Sequence, residues 1–256
     1  MTKTTERVAI VTGGGRGIGK GISLGLAADG IAVALTYRRD RETAAATVAE
    51  IEAAGGSALA IQADITVRDD NVRTVEETIA HFGAFHILVN NGGIASRGNR
   101  VSDTDPDELL RVVSTHALGP HHLFSVAVPH LRTHDRADIV MISSVATLSH
   151  GANGAPYSMG KAAAESLAMT LAKEERDSGI RVNIVAPGLV ETDMGRRLVK
   201  GAAGIDDIRS LDEIMPFGRV CQPGDIGNAV RFFVSEHASY ITGEKINVHG
   251  GGQSWR

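Results

Sequence analysis

Seven short apolar runs, separated by stretches of helical pattern, constrain the fold of this chain more than any other feature of its sequence. The runs cover residues 8–11, 31–36, 58–61, 87–89, 139–142, 181–186 and 246–248. Each run is nearly continuous in apolar residues, which is typical of strands that helices cover on both faces. The alternation predicts an α/β fold with a doubly wound parallel sheet of about seven strands.

A glycine-rich loop follows the first run and leads directly into a helical stretch. Residues 12–19 read Thr-Gly-Gly-Gly-Arg-Gly-Ile-Gly, and the helical pattern continues to Asp29. Glycine lets the backbone approach a pyrophosphate without a Cβ clash, and the start of a helix offers unpaired N–H groups. Strand, loop and helix in this order predict a Rossmann-type phosphate site, with a plain glycine-rich turn as the alternative.

Tyr157 and Lys161 lie four residues apart, and Ser144 follows the apolar run 139–142. If a helix begins near Tyr157, the two side chains project from one face. The ammonium of Lys161 would then stabilise the phenolate of Tyr157 and lower its pKa from about 10 toward neutrality. Because a Tyr-x-x-x-Lys pair also arises by chance, its interpretation as an acid and base depends on the glycine loop.

Taken together, these motifs resemble those of the short-chain dehydrogenase/reductase family. The family's Thr-Gly-x-x-x-Gly-x-Gly loop matches residues 12–19, and its Asn-Asn-Ala-Gly motif resembles Asn-Asn-Gly-Gly at residues 90–93. Ser144, Tyr157 and Lys161 match the family's catalytic residues. The segments most similar to 3-oxoacyl-acyl-carrier-protein reductases are residues 187–194, 240–244 and 248–251.

The resemblance also implies which residues hold a nicotinamide dinucleotide. Carried over position by position, the cofactor contacts are Gly13, Gly15, Arg16, Gly17, Ile18, Gly19, Tyr37, Arg38, Asp64, Ile65, Asn91, Gly92, Tyr157, Lys161, Pro187, Gly188, Val190 and Thr192. Asp64 and Ile65 would lie at the adenine ring, and residues 187–192 would close over the nicotinamide. The alternatives are an ordinary helix cap at Asp64 and a simple Asn-Gly turn after Asn90.

The residues after the second run favour NADP(H) over NAD. Aligned from Gly30, the position where NAD-preferring enzymes carry an acidic residue is Tyr37, and Arg38 and Arg39 follow it. A 2′-phosphate would meet Arg38 and also Arg16 of the glycine loop, because a planar guanidinium makes paired, charge-assisted hydrogen bonds with phosphate. The alternative is that these arginines are solvated surface charges.

One position departs from the family's catalytic pattern. The fourth catalytic residue of the family is an Asn, followed three residues later by Gly in a kinked helix, and here His116 stands at that position, ahead of Gly119 and Pro120. In relatives the main-chain carbonyl of this Asn holds a water that links the catalytic Lys to solvent, and a backbone group can survive the substitution. Pro120 has no N–H and is expected to distort the helix. We therefore include His116 in the candidate catalytic set, with the role of its imidazole open.

Composition excludes several other classes of protein. The net charge of −4 and the scattered basic residues do not indicate a nucleic-acid-binding surface. Among ten histidines, His130 and His134 share an i, i+4 spacing, but no carboxylate or cysteine set completes a ligand group, so no metal is expected. The polar N-terminus, the lack of an apolar run of about 18 residues and the lone Cys221 predict a cytoplasmic protein that is not membrane-bound.

No repeat, low-complexity segment or linker divides the chain, so residues 1–256 are expected to form a single dinucleotide-binding and catalytic domain. Residues 188–216 read as irregular, contain Gly195, Gly201 and Gly204, and follow the carboxyl end of a strand. We predict a substrate lid there, with a plain surface excursion as the alternative.

These expectations combine into an NADPH-dependent carbonyl reductase that transfers hydride to a ketone, either a small molecule or a carrier-bound 3-oxoacyl group. Tyr157 would be the general acid, Ser144 would bind the carbonyl oxygen, and Lys161 would hold the cofactor ribose. The alternatives are an NAD(P)-dependent dehydrogenase of a secondary alcohol, sugar or polyol, and a non-catalytic NADP(H)-binding sensor or scaffold, which only His116 favours. Related enzymes pair two long helices, here near residues 107–131 and 157–178, which implies a homotetramer.

Overall fold

The computed structural model describes residues 7–252, so residues 1–6 and 253–256 of the predicted domain lie outside the described part. Within it, parallel strands form one sheet in the order β3-β2-β1-β4-β5-β6-β7. The strands are β1 (Val8–Val11), β2 (Ala32–Tyr37), β3 (Ala58–Gln62), β4 (Ile87–Asn90), β5 (Ala137–Ile142), β6 (Ile180–Pro187) and β7 (Lys245–Val248). The doubly wound parallel sheet predicted from the sequence is confirmed.

Helices connect successive strands and cover both faces of the sheet. They are α1 (Gly17–Ala28), α2 (Arg41–Ala53), α3 (Arg68–Phe82), α4 (Pro106–Val113), α5 (Gly119–Leu131), α6 (Ala146–Ser149), α7 (Ala155–Glu175), α8 (Asp193–Ala203) and α9 (Pro223–Val234). A π-helical turn, Ser114–Leu118, joins α4 to α5. Short 3-10 turns cover Val101–Asp103, Arg176–Ser178, Ile208–Ile214, Pro216–Gly218 and Glu236–Ala238.

The apolar core has two layers, one on each face of the sheet. Along β1, Val8 and Ile10 pack in the layer that contains α3, α5 and α7, whereas Ala9 and Val11 pack in the layer that contains α1, α2 and α9. Successive side chains of a strand point to opposite faces, so burial of both faces requires consecutive apolar residues. Each fully buried Leu, Ile or Phe contributes about 1.5–3 kcal/mol of hydrophobic stabilisation.

The strand order opens a crevice at the carboxyl ends of β1 and β4. After β3 the chain crosses back past β1 to β4, so the connections from these two neighbouring strands leave in opposite directions. Doubly wound sheets bind ligands at such a switch point. The loops after β1, β4, β5 and β6, which carry most of the predicted site residues, meet along this edge.

Residues 188–216 are more regular than the sequence suggested. They contain α8, which begins where the Thr192 hydroxyl accepts the Gly195 N–H at 3.0 Å and ends at Gly204, whose φ is 68°. In the sequence, Gly195 suggests the end of a helix. In the structure it lies inside α8, at a place where a Cβ would lie 2.1 Å from the Val190 carbonyl oxygen. Glycine at this position allows close packing, and the expectation of an irregular segment is wrong.

Candidate active site

The glycine loop turns sharply between β1 and α1. Gly13 and Gly17 have φ values of 63° and 51°, in the left-handed region that residues with a Cβ rarely adopt. A Cβ on Gly19 would lie 2.0 Å from the Gly13 carbonyl oxygen. The tight turn leads into the first turn of α1, whose N–H groups have no partner within the helix and whose dipole end is positive. This cradle fits a pyrophosphate.

Asn91 and Gly92 attach the end of β4 to the glycine loop. The Thr12 hydroxyl accepts the N–H groups of Asn91 and Gly92 at 3.0 and 2.8 Å. The Asn91 side-chain amide donates to the Thr12 carbonyl at 2.9 Å. Two predicted cofactor-binding segments that are about eighty residues apart in sequence therefore lie side by side in the crevice.

Arginines and carboxylates alternate near the carboxyl ends of β2 and β3. The Arg38 Nε atom lies 2.7 Å from an Asp64 oxygen, and Arg16 lies 4.0 Å from Asp40. The Asp40 carboxylate caps α2 by accepting the Thr43 N–H at 3.1 Å. Both arginine side chains are more than half exposed, 52% for Arg38 and 62% for Arg16, so a ligand can reach them. The sequence argument did not weigh Asp40, the carboxylate just beyond this strand.

Ser144, Tyr157 and Lys161 meet where β5 ends and α7 begins. Ser144 follows β5, and α7 carries Pro156 in its first turn, where an N–H has no helical partner to lose. Tyr157 and Lys161 then lie one turn apart on α7. The Lys161 Nζ atom lies 5.8 Å from the centre of the Tyr157 ring and donates to the Ile142 carbonyl at 2.7 Å.

The electrostatics of this cluster differ from the sequence expectation. Burial raises the pKa of Tyr157, and hydrogen bonding with Ser144 opposes that rise. Burial lowers the pKa of Lys161 to about 8, and the charge of Glu165 opposes that fall. The expectation that Lys161 brings the Tyr157 pKa below its usual range is not met, because burial raises that pKa and the Lys161 ammonium is directed at the Ile142 carbonyl.

The imidazole of His116 is buried beside Tyr157. Its Nε2 lies 2.8 Å from the Ile94 carbonyl oxygen, an arrangement in which Nε2 carries the proton and donates. Its ring meets the Tyr157 ring edge-on, with the two centroids 5.1 Å apart. Burial and the charge of Lys161 lower the His116 pKa to about 3. The imidazole is therefore neutral around pH 7.

Two glycines make room for this imidazole. A Cβ on Gly93 would lie 2.6 Å from the ring, and a Cβ on Gly160 would lie 2.9 Å from the His116 Cβ atom. Gly160 lies on α7 between Tyr157 and Lys161, so His116 and the candidate catalytic helix pack without an intervening side chain.

Pro120 releases the main-chain carbonyl of His116 from α-helical bonding. In an α-helix that carbonyl would accept the N–H four residues later, and Pro120 has none. The helix widens into the π turn, in which the Gly119 N–H bonds the Ser114 carbonyl. The distortion expected from Pro120 is present, and it lies at the position of the family's Asn.

The segment after β6 reaches both halves of the site. The Pro187 carbonyl accepts the Val145 N–H at 3.0 Å, next to Ser144. A Cβ on Gly17 would lie 3.2 Å from the Thr192 methyl group, so Thr192 borders the glycine loop. Gly188 and Val190 lie between these contacts. The other predicted cofactor contacts lie near the ends of β2 and β3, and they are Tyr37, Arg38, Asp64 and Ile65. The distance between these residues and the segment after β6 suits the two ends of a dinucleotide.

Sequence reasoning missed Glu165 and Lys245, which lie next to the segment that carries Ser144. Glu165 follows Lys161 by one turn of α7, and Lys245 is the first residue of β7. Their ends are 2.7 Å apart. The i, i+4 spacing of Lys161 and Glu165 was a signal for the first residue, whereas nothing local in the sequence indicates the second.

Two other kinds of feature are absent from residues 7–252. The structure brings no three His, Cys, Asp or Glu side chains of this range into a group that could hold a metal ion. None of the helices in the same range has both the length and the hydrophobicity of a membrane span.

The chain is similar to a known protein family and to several known proteins along nearly its whole length. The family described as enoyl-(acyl carrier protein) reductase matches residues 13–253. The chain is 36% identical over 253 residues to a 3-oxoacyl-[acyl-carrier-protein] reductase of Staphylococcus aureus, covering 98% of each chain. It is 35% identical to a dehydrogenase/reductase from Sinorhizobium meliloti 1021, with a TM-score of 0.87 over 96% of this chain and 94% of the other.

A solved NAD+-bound xylitol dehydrogenase is also similar, at 27% identity and a TM-score of 0.89 over 97% of this chain and 100% of that one. The similarity to these relatives extends over 96–98% of this chain. This protein belongs to the short-chain dehydrogenase/reductase family of oxidoreductases.

Proposed function

We propose that this protein is an NADPH-dependent carbonyl reductase whose general acid is Tyr157. The observation that carries the proposal is the meeting of Ser144, Tyr157 and Lys161 at one end of a crevice whose other wall is the glycine loop. A dinucleotide bound along the crevice would lie beside all three residues. Its reduced nicotinamide would supply a hydride to the carbonyl carbon of a ketone.

The protein's own groups would handle the oxygen and the proton. The Ser144 hydroxyl would donate to the carbonyl oxygen and polarise it, and Tyr157 would give its proton to the oxygen as negative charge develops there. The raised pKa of Tyr157 keeps the phenol protonated at neutral pH, which is the state that reduction requires. Lys161, charged below its pKa of about 8, would favour the phenolate that remains and hold the ribose.

The residues present fit the cofactor. The glycine loop and the start of α1 would bind the pyrophosphate, Asn91 and Gly92 would contact the nicotinamide half, and Pro187, Gly188, Val190 and Thr192 would close over it. Arg38 and Arg16 are exposed cations at the adenosine end, where they would bind a 2′-phosphate. Asp64 and Ile65 would border the adenine ring.

For the substrate, we propose a 3-oxoacyl thioester or a similar ketone, which would enter beneath the lid of residues 188–216. Similarity to 3-oxoacyl-[acyl-carrier-protein] reductases supports this class. A second candidate is a dehydrogenase of a secondary alcohol or polyol. The similarity to an NAD+-bound xylitol dehydrogenase favours it.

The test is a substrate panel with both cofactors. Purified protein is mixed with NADPH or NADH and with β-ketoacyl thioesters, cyclic ketones or quinones, and absorbance at the reduced-nicotinamide band is followed. The reverse direction is assayed with NAD+ or NADP+ and with polyols and sugars. We expect NADPH oxidation with a ketone. NAD+ reduction by polyols alone would establish the second candidate, and cofactor binding without turnover of any substrate would indicate a binding protein.

A further inference from the structure

Glu165 and Lys245 form an ion pair behind the candidate catalytic residues. The Lys245 Nζ atom lies 2.7 Å from a Glu165 carboxylate oxygen and 2.8 Å from the Thr147 hydroxyl. The side chains of Glu165 and Lys245 are only 18% and 16% exposed. Such a shielded pair interacts more strongly than a surface salt bridge, because solvent screens it less.

The same carboxylate holds the segment that carries Ser144. The Glu165 oxygen accepts from the Ser143 hydroxyl and, at 2.9 Å, from the Thr147 hydroxyl. Thr147 also lies 2.9 Å from the Ser144 carbonyl oxygen. Because Ser143 and Thr147 flank Ser144 in sequence, one carboxylate fixes both sides of the residue proposed to bind the substrate oxygen.

Lys161, which lies on α7 like Glu165, also bonds to the segment that carries Ser144. It donates to the Ile142 carbonyl at 2.7 Å, and Glu165 lies one turn farther along α7. The end of β5 is thus held by Lys161 at Ile142 and by Glu165 at Ser143, while Lys245 ties Glu165 to β7.

We propose that Glu165 and Lys245 act as a positioning pair that fixes the Ser144 segment and places two opposite charges behind the Lys161 ammonium. The inference rests on the proposed function, because it assigns these residues to the same site. Neither residue would touch the reacting atoms, and neither belongs to the motif formed by Ser144, Tyr157 and Lys161.

The two residues act on Lys161 with opposite signs. The titratable or charged groups near Lys161 are Tyr157 and Glu165 on α7, His116 on the π turn and Lys245 on β7. Tyr157 and His116 are neutral near pH 7. Glu165 raises the pKa of Lys161 against burial, which lowers it to about 8. Lys245 neutralises part of the Glu165 charge, so it acts in the opposite direction to Glu165.

Paired substitutions test this opposition. Lys161 is charged below its pKa, so activity that needs the ammonium is lost as pH rises through about 8. Glu165→Gln should move the high-pH midpoint of kcat/KM down by about one pH unit, whereas Lys245→Met should move it up by a similar amount. If the pair gave only mechanical support, both variants would lose activity, and their high-pH midpoints would not shift in opposite directions.

Glu175→Gln is the matched control. Glu175 is a buried carboxylate on the same helix, paired with Arg132 at 2.6 Å, away from the Ser144 segment. Glu175→Gln should reduce thermal stability and leave the high-pH midpoint of kcat/KM at its wild-type value. Unshifted midpoints in both test variants, or shifts of the same sign, would overturn the proposal.

A second readout separates this inference from the proposed function. The chain has six lysines, so the Lys161 signal in ¹³C-lysine-labelled protein can be assigned with Lys161→Met and titrated by NMR without cofactor. The Lys161 pKa should fall in Glu165→Gln and rise in Lys245→Met. Opposite shifts in a protein that reduces no ketone would uphold the pair while the proposed function fails. Equal Lys161 titrations in an active reductase would refute the pair alone.

Discussion

His116 makes its contacts as a neutral group. The imidazole donates to the Ile94 carbonyl, packs edge-on against Tyr157 and has a pKa of about 3. It therefore keeps one protonation state throughout the working pH range of an enzyme. Pro120 meanwhile leaves the His116 main-chain carbonyl without its α-helical donor, so a backbone role at this position does not depend on the side chain.

We expect His116→Asn to retain kcat within about threefold. The wild-type profile of kcat against pH should show no inflection between about pH 6 and 7.5. Steady-state rates across that range check both statements. An inflection that disappears in His116→Asn would place the imidazole in the proton path, and a gain of activity from an inactive wild-type protein would favour the binding-protein alternative.

Gly160 should tolerate no larger side chain while His116 is present. In Gly160→Ala the new Cβ would meet the His116 Cβ atom at 2.9 Å, and such overpacking costs about 1–3 kcal/mol of unfolding free energy. The matched control is Gly201→Ala on α8, where a Cβ meets nothing within 4 Å and helix propensity improves. Urea unfolding should give opposite signs for the two variants. Equal stability of Gly160→Ala and wild type would contradict the packing account.

At the scale of elements, we expect the loops after β2 and β3 to determine which cofactor is preferred. Arg38 and Arg16 are more than half exposed there; Arg38 pairs with Asp64, and Arg16 lies 4.0 Å from Asp40, the carboxylate that caps α2. We expect NADPH to be preferred over NADH by about tenfold or more, since one charge-assisted phosphate contact contributes roughly 1.5–3 kcal/mol. Tyr37→Asp with Arg38→Ile should reverse the order. Equal kcat/KM for the two cofactors in the unmodified protein would rule this out.

Elements with a strong local signal were predictable from the sequence, and elements defined by distant contacts were not. Burial on both faces gives the strands continuous apolar runs, so β1 and β4 were located within a residue of their ends. Helix α8 was missed because Gly195 looks like a breaker until the Val190 carbonyl beside it is known. The fit of His116 against Gly160 joins two elements that are far apart in sequence.

The electrostatics of the site were the least predictable part, for a physical reason. A spacing of four residues places Tyr157 and Lys161 on one face of a helix, but their pKa values depend on burial and on what the ammonium bonds. The Ile142 carbonyl and Glu165 supply those contacts, and the residue that completes the set, Lys245, comes from the last strand. No local sequence pattern contains that information.

At the scale of the whole molecule, we expect a homotetramer. The helices predicted to pair, α4–α5 and α7, expose Leu110 at 61%, Leu118 at 49% and Met159 at 52%. Apolar side chains on long helices are typical of surfaces that subunits cover, and closed symmetry is the usual arrangement of such assemblies. Light scattering at micromolar concentration should give about four times the chain mass of 26.9 kDa. A mass near that of one chain would exclude the tetramer.

The most direct test of the central claim is the effect of Tyr157→Phe on ketone reduction. Removing only the hydroxyl takes away the proposed proton donor and leaves the ring that packs against His116. We expect kcat to fall by about 10² to 10⁴, while NADPH affinity measured by fluorescence titration changes by no more than a few fold. If Tyr157→Phe kept more than about a tenth of the wild-type rate, another group would be the acid and the account of this site would be wrong.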